Sequence, residues 1–438
     1  MKAKPTPSLS VAVLLLWLAA CGGADNGSSS SNPAPAPAPA PAPTPAPSPG
    51  PTPAPPPPAP APAPAPSPAP APAPAPAPSG PPRAETFASG LNSPWSLAFL
   101  PDGSMLVTER GGQLKRVSAD GAAVSAPISG MPAVDSGGQG GLLDVAVAAD
   151  FATSRRVYLS FAEAGSGAEA GRNGTAVGTG VLNAGFTALS GWTVLFRQTP
   201  KVAGTQNHYG GRLVLSGDGH LFVTLGERSI SSERGRAQDL SAGHGKVMRI
   251  RATDGGAPGD NPFVSTSGAQ ATIWSYGHRN PQGAALHPTT GELWTSEHGP
   301  QGGDEVNRTL PGRNYGWPLV SYGCEYGTPV GNCTPVGGAS TGAGFEPPLT
   351  WWVPTSIAPS GMAFYTGDRF PEWKGNLFVG SLAGKALWRI TLNGNAVASR
   401  EALFTSLNER IRDVRQGPDG WLYVLTDNTS GRIVRIVR

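Results

Sequence analysis

The chain has six histidines, His208, His220, His244, His278, His287 and His298. None stands in a pair at the helical spacing of a zinc site. No Gly-x-Ser-x-Gly turn marks a nucleophilic serine, and no P-loop glycine run marks a phosphate cradle. The arginines say more. Arg279 lies in Tyr276-Gly277-His278-Arg279-Asn280-Pro281-Gln282-Gly283, directly before an apolar run, and Arg410 and Arg412 are two apart in Glu409-Arg410-Ile411-Arg412-Asp413-Val414. On a strand, that spacing turns both guanidinium groups to one face. Two permanently charged forks there suit an anion with several carboxylates or phosphates. An exposed strand face with Asp and Glu partners would use the same residues, so the anion reading depends on Arg279 converging with them. The run Glu297-His298-Gly299-Pro300-Gln301-Gly302-Gly303-Asp304-Glu305 puts the two carboxylates of Asp304 and Glu305, and free carbonyls, in a glycine-rich loop. It suits a hard cation such as Ca²⁺ and a solvated turn about equally.

Something must hold these groups together, and the chain is uneven in what it offers. Residues 31–82 contain 27 of the 49 prolines, mostly alternating with alanine, and only Lys2, Lys4 and Asp25 are charged before Arg83. Such a segment cannot bury enough surface to offset its ordering entropy. Foldable sequence therefore begins at residue 83, and residues 83–438 are expected to form the domain. The net charge of +3 over 438 residues is too small and too evenly spread to argue for nucleic acid.

From residue 92 a figure recurs: apolar strand, tight turn, apolar strand. Pro101-Asp102-Gly103, Gly217-Asp218-Gly219 and Pro418-Asp419-Gly420 are its clearest turns, with looser versions near Asp150, Thr290 and Gly367. Asp-Gly between alternating apolar runs is a strong hairpin signal. Six marks a little over sixty residues apart, without helical periodicity between them, predict an all-β, six-bladed β-propeller. Five or seven blades are the neighbouring counts, and a pair of β-sandwiches is the architectural alternative. Loops from several blades of a propeller meet at one mouth, which is where the arginines would converge.

The N-terminus reads as an export signal over residues 1–20, with Lys2 and Lys4 before an apolar core at Val11 to Leu18. Leu18-Ala19-Ala20-Cys21 resembles a bacterial lipobox, which implies lipidation of Cys21, and Gly22 after it implies the outer membrane, facing the periplasm or the outside. Residues 21–82 would be a lipidated, disordered Ala-Pro tether, extended by proline's fixed φ and spanning roughly 150 Å at full stretch. Cys324 and Cys333 lie nine apart in a Gly-Pro-Thr-rich loop. A disulfide is the expected state in an oxidising compartment, ahead of a two-thiolate metal site.

Several runs together resemble the soluble PQQ-dependent aldose sugar dehydrogenases, the glucose/sorbosone dehydrogenase family. They are Gln139 to Asp144, His208 to Leu213, Tyr276 to Gly283, Glu297 to Glu305, Asn314 to Pro318, Ala358 to Gly361, and Arg410 to Gly420, in one order over roughly residues 86–438. The family fold is a six-bladed propeller. The resemblance implies oxidation of an aldose at C1 to the lactone, with His208 as general base and Glu227 orienting it. It implies PQQ as hydride acceptor, near Gln139, Arg279, Asn280, Gln282, Arg410 and Arg412. It also implies Ca²⁺ on the carbonyls of Gly299 and Pro300, a further structural Ca²⁺ near Glu305 and Tyr315, and passage of electrons to an unidentified periplasmic acceptor. Two positions depart from the family pattern. Glu227 stands where an aspartate is frequent, and Ala383 aligns with a cofactor-binding lysine that Lys385, expected on the same strand face, would replace. A propeller that has lost PQQ and binds sugar or protein is the alternative these departures favour; a Ca²⁺-dependent lactonase is the third reading.

Overall fold

The computed structural model describes residues 80–438 except 329 and 330, together with residues 50 and 54. The export signal, Cys21 and nearly all of the 21–82 tether lie outside the described residues. Among the described residues the strands form six antiparallel sheets, the blades of a propeller. Their inner strands are Pro94–Phe99, Leu142–Val147, Leu213–Leu215, Pro281–Leu286, Pro359–Phe364 and Ile411–Gln416, in blades 1 to 6. All six expected turn marks fall between the first and second strand of a blade. Gly103, Gly219 and Gly420 there have φ of 81°, 82° and 83°, a conformation only glycine adopts without strain.

The ring closes with its earliest strand. Arg83–Leu91 pairs antiparallel with Gly431–Val437 and becomes the outer strand of blade 6. Blade faces are apolar on both sides because each packs against two neighbours. The core is accordingly a ring of seams rather than one centre. Leu106 and Leu114 of blade 1 meet Leu142 and Phe161 of blade 2, Trp294 of blade 4 meets Phe364 of blade 5, and Ile433 of blade 6 meets Leu97 and Val107 of blade 1.

A second device ties the blades. The second strand of every blade carries a fully buried hydroxyl near its end: Thr108, Ser160, Thr224 and Ser296 at one register position in blades 1 to 4, and Ser381 and Thr426 one residue further on in blades 5 and 6. Four of them donate to a carbonyl at the head of the next blade's inner strand, those of Leu143, Gly211, Pro281 and Ser360. Below the mouth, Arg212 and Arg415 interlock with Asp144 and Asp413 at 3.0–3.3 Å. Arg212, Asp144 and Asp413 of this four-charge cluster are buried, and Arg415 is partly exposed to a cavity of about 450 Å³ lined mainly by apolar residues of the inner strands.

Candidate active site

The inner strands share a local irregularity that builds the site. In five of the six the pairing register shifts at the same point, between Pro94 and Ser96, Leu142 and Val145, Pro281 and Gly283, Pro359 and Met362, and Ile411 and Asp413. A bulge bends a strand and re-aims its side chains. Asp144, Gln282, Ser360 and Arg412 sit in four of these bulges.

His208 lies in the segment leading into blade 3, at φ 49°. It is 5% exposed. Its backbone N–H donates to Oε1 of Gln139 at 2.9 Å, and its Nδ1 meets Oε1 of Glu227 at 2.7 Å. The other oxygen of Glu227 accepts the N–H of Ser229 at 3.0 Å, and the Glu227 N–H donates to the Arg279 carbonyl at 2.9 Å. Burial, and then the Arg279 guanidinium, hold the His208 pKa down to about 4 against the opposing pull of Glu227. The ring is therefore neutral at pH 7. With its proton drawn to Nδ1 by the carboxylate, Nε2 carries the free lone pair, the form a general base needs.

Arg410 and Arg412 are brought together, but not by a shared strand face. Arg410 precedes the inner strand instead of lying on it, and both side chains are gathered by one carboxylate. Oδ2 of Asp427 accepts from Arg410 Nε and Arg412 Nη2, each at 3.0 Å. Arg412 also donates to Oε1 of Gln282 at 3.0 Å. Asn280 Oδ1 accepts the Gly210 N–H at 3.1 Å, joining the segment of His208 to that of Arg279. His298 is partly exposed, with its Nε2 buried, and lies within electrostatic reach of His208, Arg279 and Arg412. Burial, and next His208, hold it well below its ordinary pKa. Arg279 and Arg412, but not Arg410, thus meet around His298. Asp427 is not among the expected site residues, because only strand pairing brings it to the two arginines.

The site holds buried polar atoms without a protein partner: Nε of Arg279, Nε of Arg412, Nδ2 of Asn280 and Nε2 of His298. Three of the four are donors on two cations and an amide. Such a set fits a ligand rich in carboxylate and carbonyl oxygens.

For the cation, the Gly299 carbonyl faces the site and already accepts a cationic donor, the Arg279 guanidinium. The two acids of the expected loop have different duties. Asp304 is engaged by the N–H groups of Gly299, Ile357 and Ala358 and by the Ser356 hydroxyl, so it shapes the turn that presents the Gly299 carbonyl. Glu305 shares Asn307 with Glu297, and burial, then the Glu297 charge, raise its pKa well above the carboxylate range. Glu305 and Tyr315 line one small enclosed pocket. The Tyr315 hydroxyl bonds the Arg308 carbonyl and the Leu310 N–H, which leaves its backbone carbonyl for any metal. Among the described residues no group of three or more His, Cys, Asp or Glu side chains is placed to hold a metal.

Lys385 departs from expectation. It and Ala383 lie in the turn between Leu377–Ser381 and Leu387–Asn393, not on a strand. The N–H groups of Ala383 and Gly384 both donate to the Ile357 carbonyl, which curls the chain tightly, and Lys385 takes φ 47°. Its ammonium bonds Asn408 at 3.1 Å, on the rim beside Arg410. Cys324 and Cys333 form a disulfide, which places the domain in an oxidising compartment. It staples the long excursion between Asp304–Arg308 and Thr350–Trp352, whose Tyr326 lies over Arg279.

A propeller with a buried histidine–carboxylate pair at an arginine-rich mouth agrees with what family comparison finds. Residues 91–435 match the glucose/sorbosone dehydrogenase family model, and the chain belongs to that family of oxidoreductases. It is 48% identical to the aldose sugar dehydrogenase YliI of Escherichia coli over 353 residues, 80% of this chain and 92% of that protein. It is 30% identical to quinoprotein glucose dehydrogenase B of Acinetobacter calcoaceticus, across 79% of this chain and 85% of that one. The PQQ-bound aldose sugar dehydrogenase of Streptomyces coelicolor superposes with a TM-score of 0.64 at 30% identity, covering 82% of this chain and 99% of the other.

Proposed function

We propose that this protein oxidises aldose sugars at C1 to the lactone, with PQQ as hydride acceptor and Ca²⁺ beside it. The observation that carries the reading is the neutral, carboxylate-oriented His208, buried next to a cluster of unpartnered arginine and amide donors. His208 Nε2 takes the proton of the anomeric hydroxyl as C1 gives up its hydride. Glu227 holds the tautomer and stabilises the imidazolium that forms. Arg279, Arg410 and Arg412, with Asn280 and Gln282, would bind the three carboxylates and the carbonyls of PQQ, and Gln139 would position substrate or cofactor through its bond to His208. PQQ, when bound, supplies an electrophilic quinone, and Ca²⁺ on the Gly299 and Pro300 carbonyls makes it a better acceptor. A second Ca²⁺ between Glu305 and the Tyr315 carbonyl would brace the blade 4 excursion. Lys385 sits at the rim and serves cofactor entry or retention rather than a fixed contact.

The proposal extends to location. The leader and Cys21 would anchor the enzyme by lipid at the outer membrane, the Ala-Pro segment would hold it away, and a periplasmic acceptor would take its electrons. Reconstituting the full chain with PQQ and Ca²⁺ and assaying glucose with a dye acceptor tests the activity. Dye reduction that requires both additions supports it; no dye reduction and no PQQ absorbance change would reject it.

A further inference from the structure

We propose that Arg228 is a positioning residue that holds Glu227 in register with His208, through a clamp it forms with Tyr209 and Asn173 behind the pair. The inference rests on the reading of His208 as the base. Arg228 is fully buried, and with Arg212 it is among the largest side chains enclosed within the described residues. Its guanidinium lies over the Tyr209 ring, 3.6 Å from the centroid, and its Nη2 donates to Oδ1 of Asn173. The Tyr209 hydroxyl donates to that same oxygen at 2.9 Å. Tyr209 is the residue after His208, and Arg228 is the residue after Glu227. The stack therefore joins the two backbones that carry the pair, and Asn173 fastens both to the third strand of blade 2.

The backbone shows what the clamp restrains. Arg228 and Ser229 have φ of 75° and 57°, and two successive non-glycine residues in the left-handed region are strained. This turn swings the Ser229 N–H back onto Glu227 Oε2 and leaves Oε1 facing His208. Without something to hold position 228, the turn would relax and the carboxylate would rotate away. A large cation buried with two of its nitrogens unpartnered is costly, and the geometry assigns it this use. The clamp also has an electrostatic side. The groups facing His208 are Glu227, which favours its charged form, and Arg279 and Arg228, which oppose it, with His298 close by.

Three measurements on the full-length protein test the clamp. In the apo protein, the His208 ring titration is followed by NMR in wild type, R228Q and R228K. Without the stack Glu227 turns away from the ring, and its pull outweighs the opposing charge of Arg228, so both R228Q and R228K move the titration downward. In the PQQ- and Ca²⁺-loaded enzyme, both variants lower kcat by roughly 10-fold to 100-fold, because lysine keeps the charge but not the planar stack. KM and the PQQ titration endpoint stay within about twofold of wild type, as expected for a residue that touches neither ligand. Wild-type kcat together with an unshifted His208 in R228Q would overturn the proposal. Should R228Q fail to fold, R228K decides: reduced kcat with normal PQQ binding supports the clamp, and wild-type kcat rejects it. Because the titration needs neither cofactor nor sugar, a wild-type enzyme without turnover would reject the functional reading while the NMR result still judged the clamp.

Discussion

Nδ1 of His208 lies 2.7 Å from Oε1 of Glu227, and the second oxygen of that carboxylate is held by the Ser229 N–H. Both oxygens of Glu227 are thus committed, one to the ring and one to the backbone. The longer side chain spans the gap that an aspartate would have to close with one methylene fewer. E227Q should lower kcat on the order of 10²-fold, since the amide keeps the shape but not the charge that stabilises the imidazolium. E227D should fall between the two. PQQ affinity, read from the absorbance titration, should stay within about twofold in both.

The acid limb of kcat/KM should lie near pH 4, not 6.5, because His208 is held at about 4 in the folded protein. Stability follows with a definite sign. Buried His208 and His244, the latter at about 3, bind fewer protons folded than unfolded between their folded values and 6.5. Their neutral burial is therefore fully favourable above about pH 6.5, and stability falls as pH drops from there toward 4. Urea midpoints measured from pH 7 to 4 should decline across that window. Midpoints that hold flat there would show that the two rings are not buried neutral.

Arg412 and Arg410 share Asp427, whose side chain is 11% exposed. R412A should weaken PQQ binding by roughly 10-fold to 100-fold, the worth of one or two charge-assisted bonds. D427A removes the partner of a buried cation and should destabilise the fold by about 3 kcal/mol, visible as a lowered denaturation midpoint. R410A should do less than R412A, since the Arg410 side chain is 45% exposed.

Cys324 and Cys333 close a loop with a sequence separation of 9. Loop-closure entropy for that length is worth about 2–3 kcal/mol, and the staple holds an excursion that reaches Arg279 through Tyr326. C324A/C333A should leave the propeller folded by circular dichroism. It should make the excursion between Arg308 and Thr350 more open to protease and weaken retention of the cofactor. Equal protease resistance with and without the bridge would show that the excursion is held by its other contacts.

The propeller was legible before the structure because its signal repeats. Six turn marks, three of them Asp-Gly, fall at the first hairpin of every blade, and each carries its own local steric reason. His208, Arg279 and Arg412 were legible as members of long motifs. Residues whose partners are far apart in the chain were not. Asp427 is a lone acid until strand pairing brings it to Arg412. Arg228 gives no hint of burial, because nothing in Glu227-Arg228-Ser229 announces two left-handed residues in succession. Lys385 was misplaced for a related reason: the apolar stretch Leu377 to Ala386 reads as one strand, and the turn within it is set by hydrogen bonds to Ile357, 26 residues earlier. Asp304 looked like a cation ligand because its backbone partners, Ile357 and Ala358, are likewise remote.

The central claim is that His208 is the base for hydride transfer to bound PQQ. The most direct measurement is a single-turnover experiment on H208A, loaded with PQQ and Ca²⁺ and mixed with excess glucose while the cofactor spectrum is followed. The account predicts that H208A binds PQQ with the wild-type absorbance change, and that its reduction by sugar slows by at least about 10³-fold relative to wild type. Reduction of the bound cofactor at the wild-type rate in H208A would contradict it.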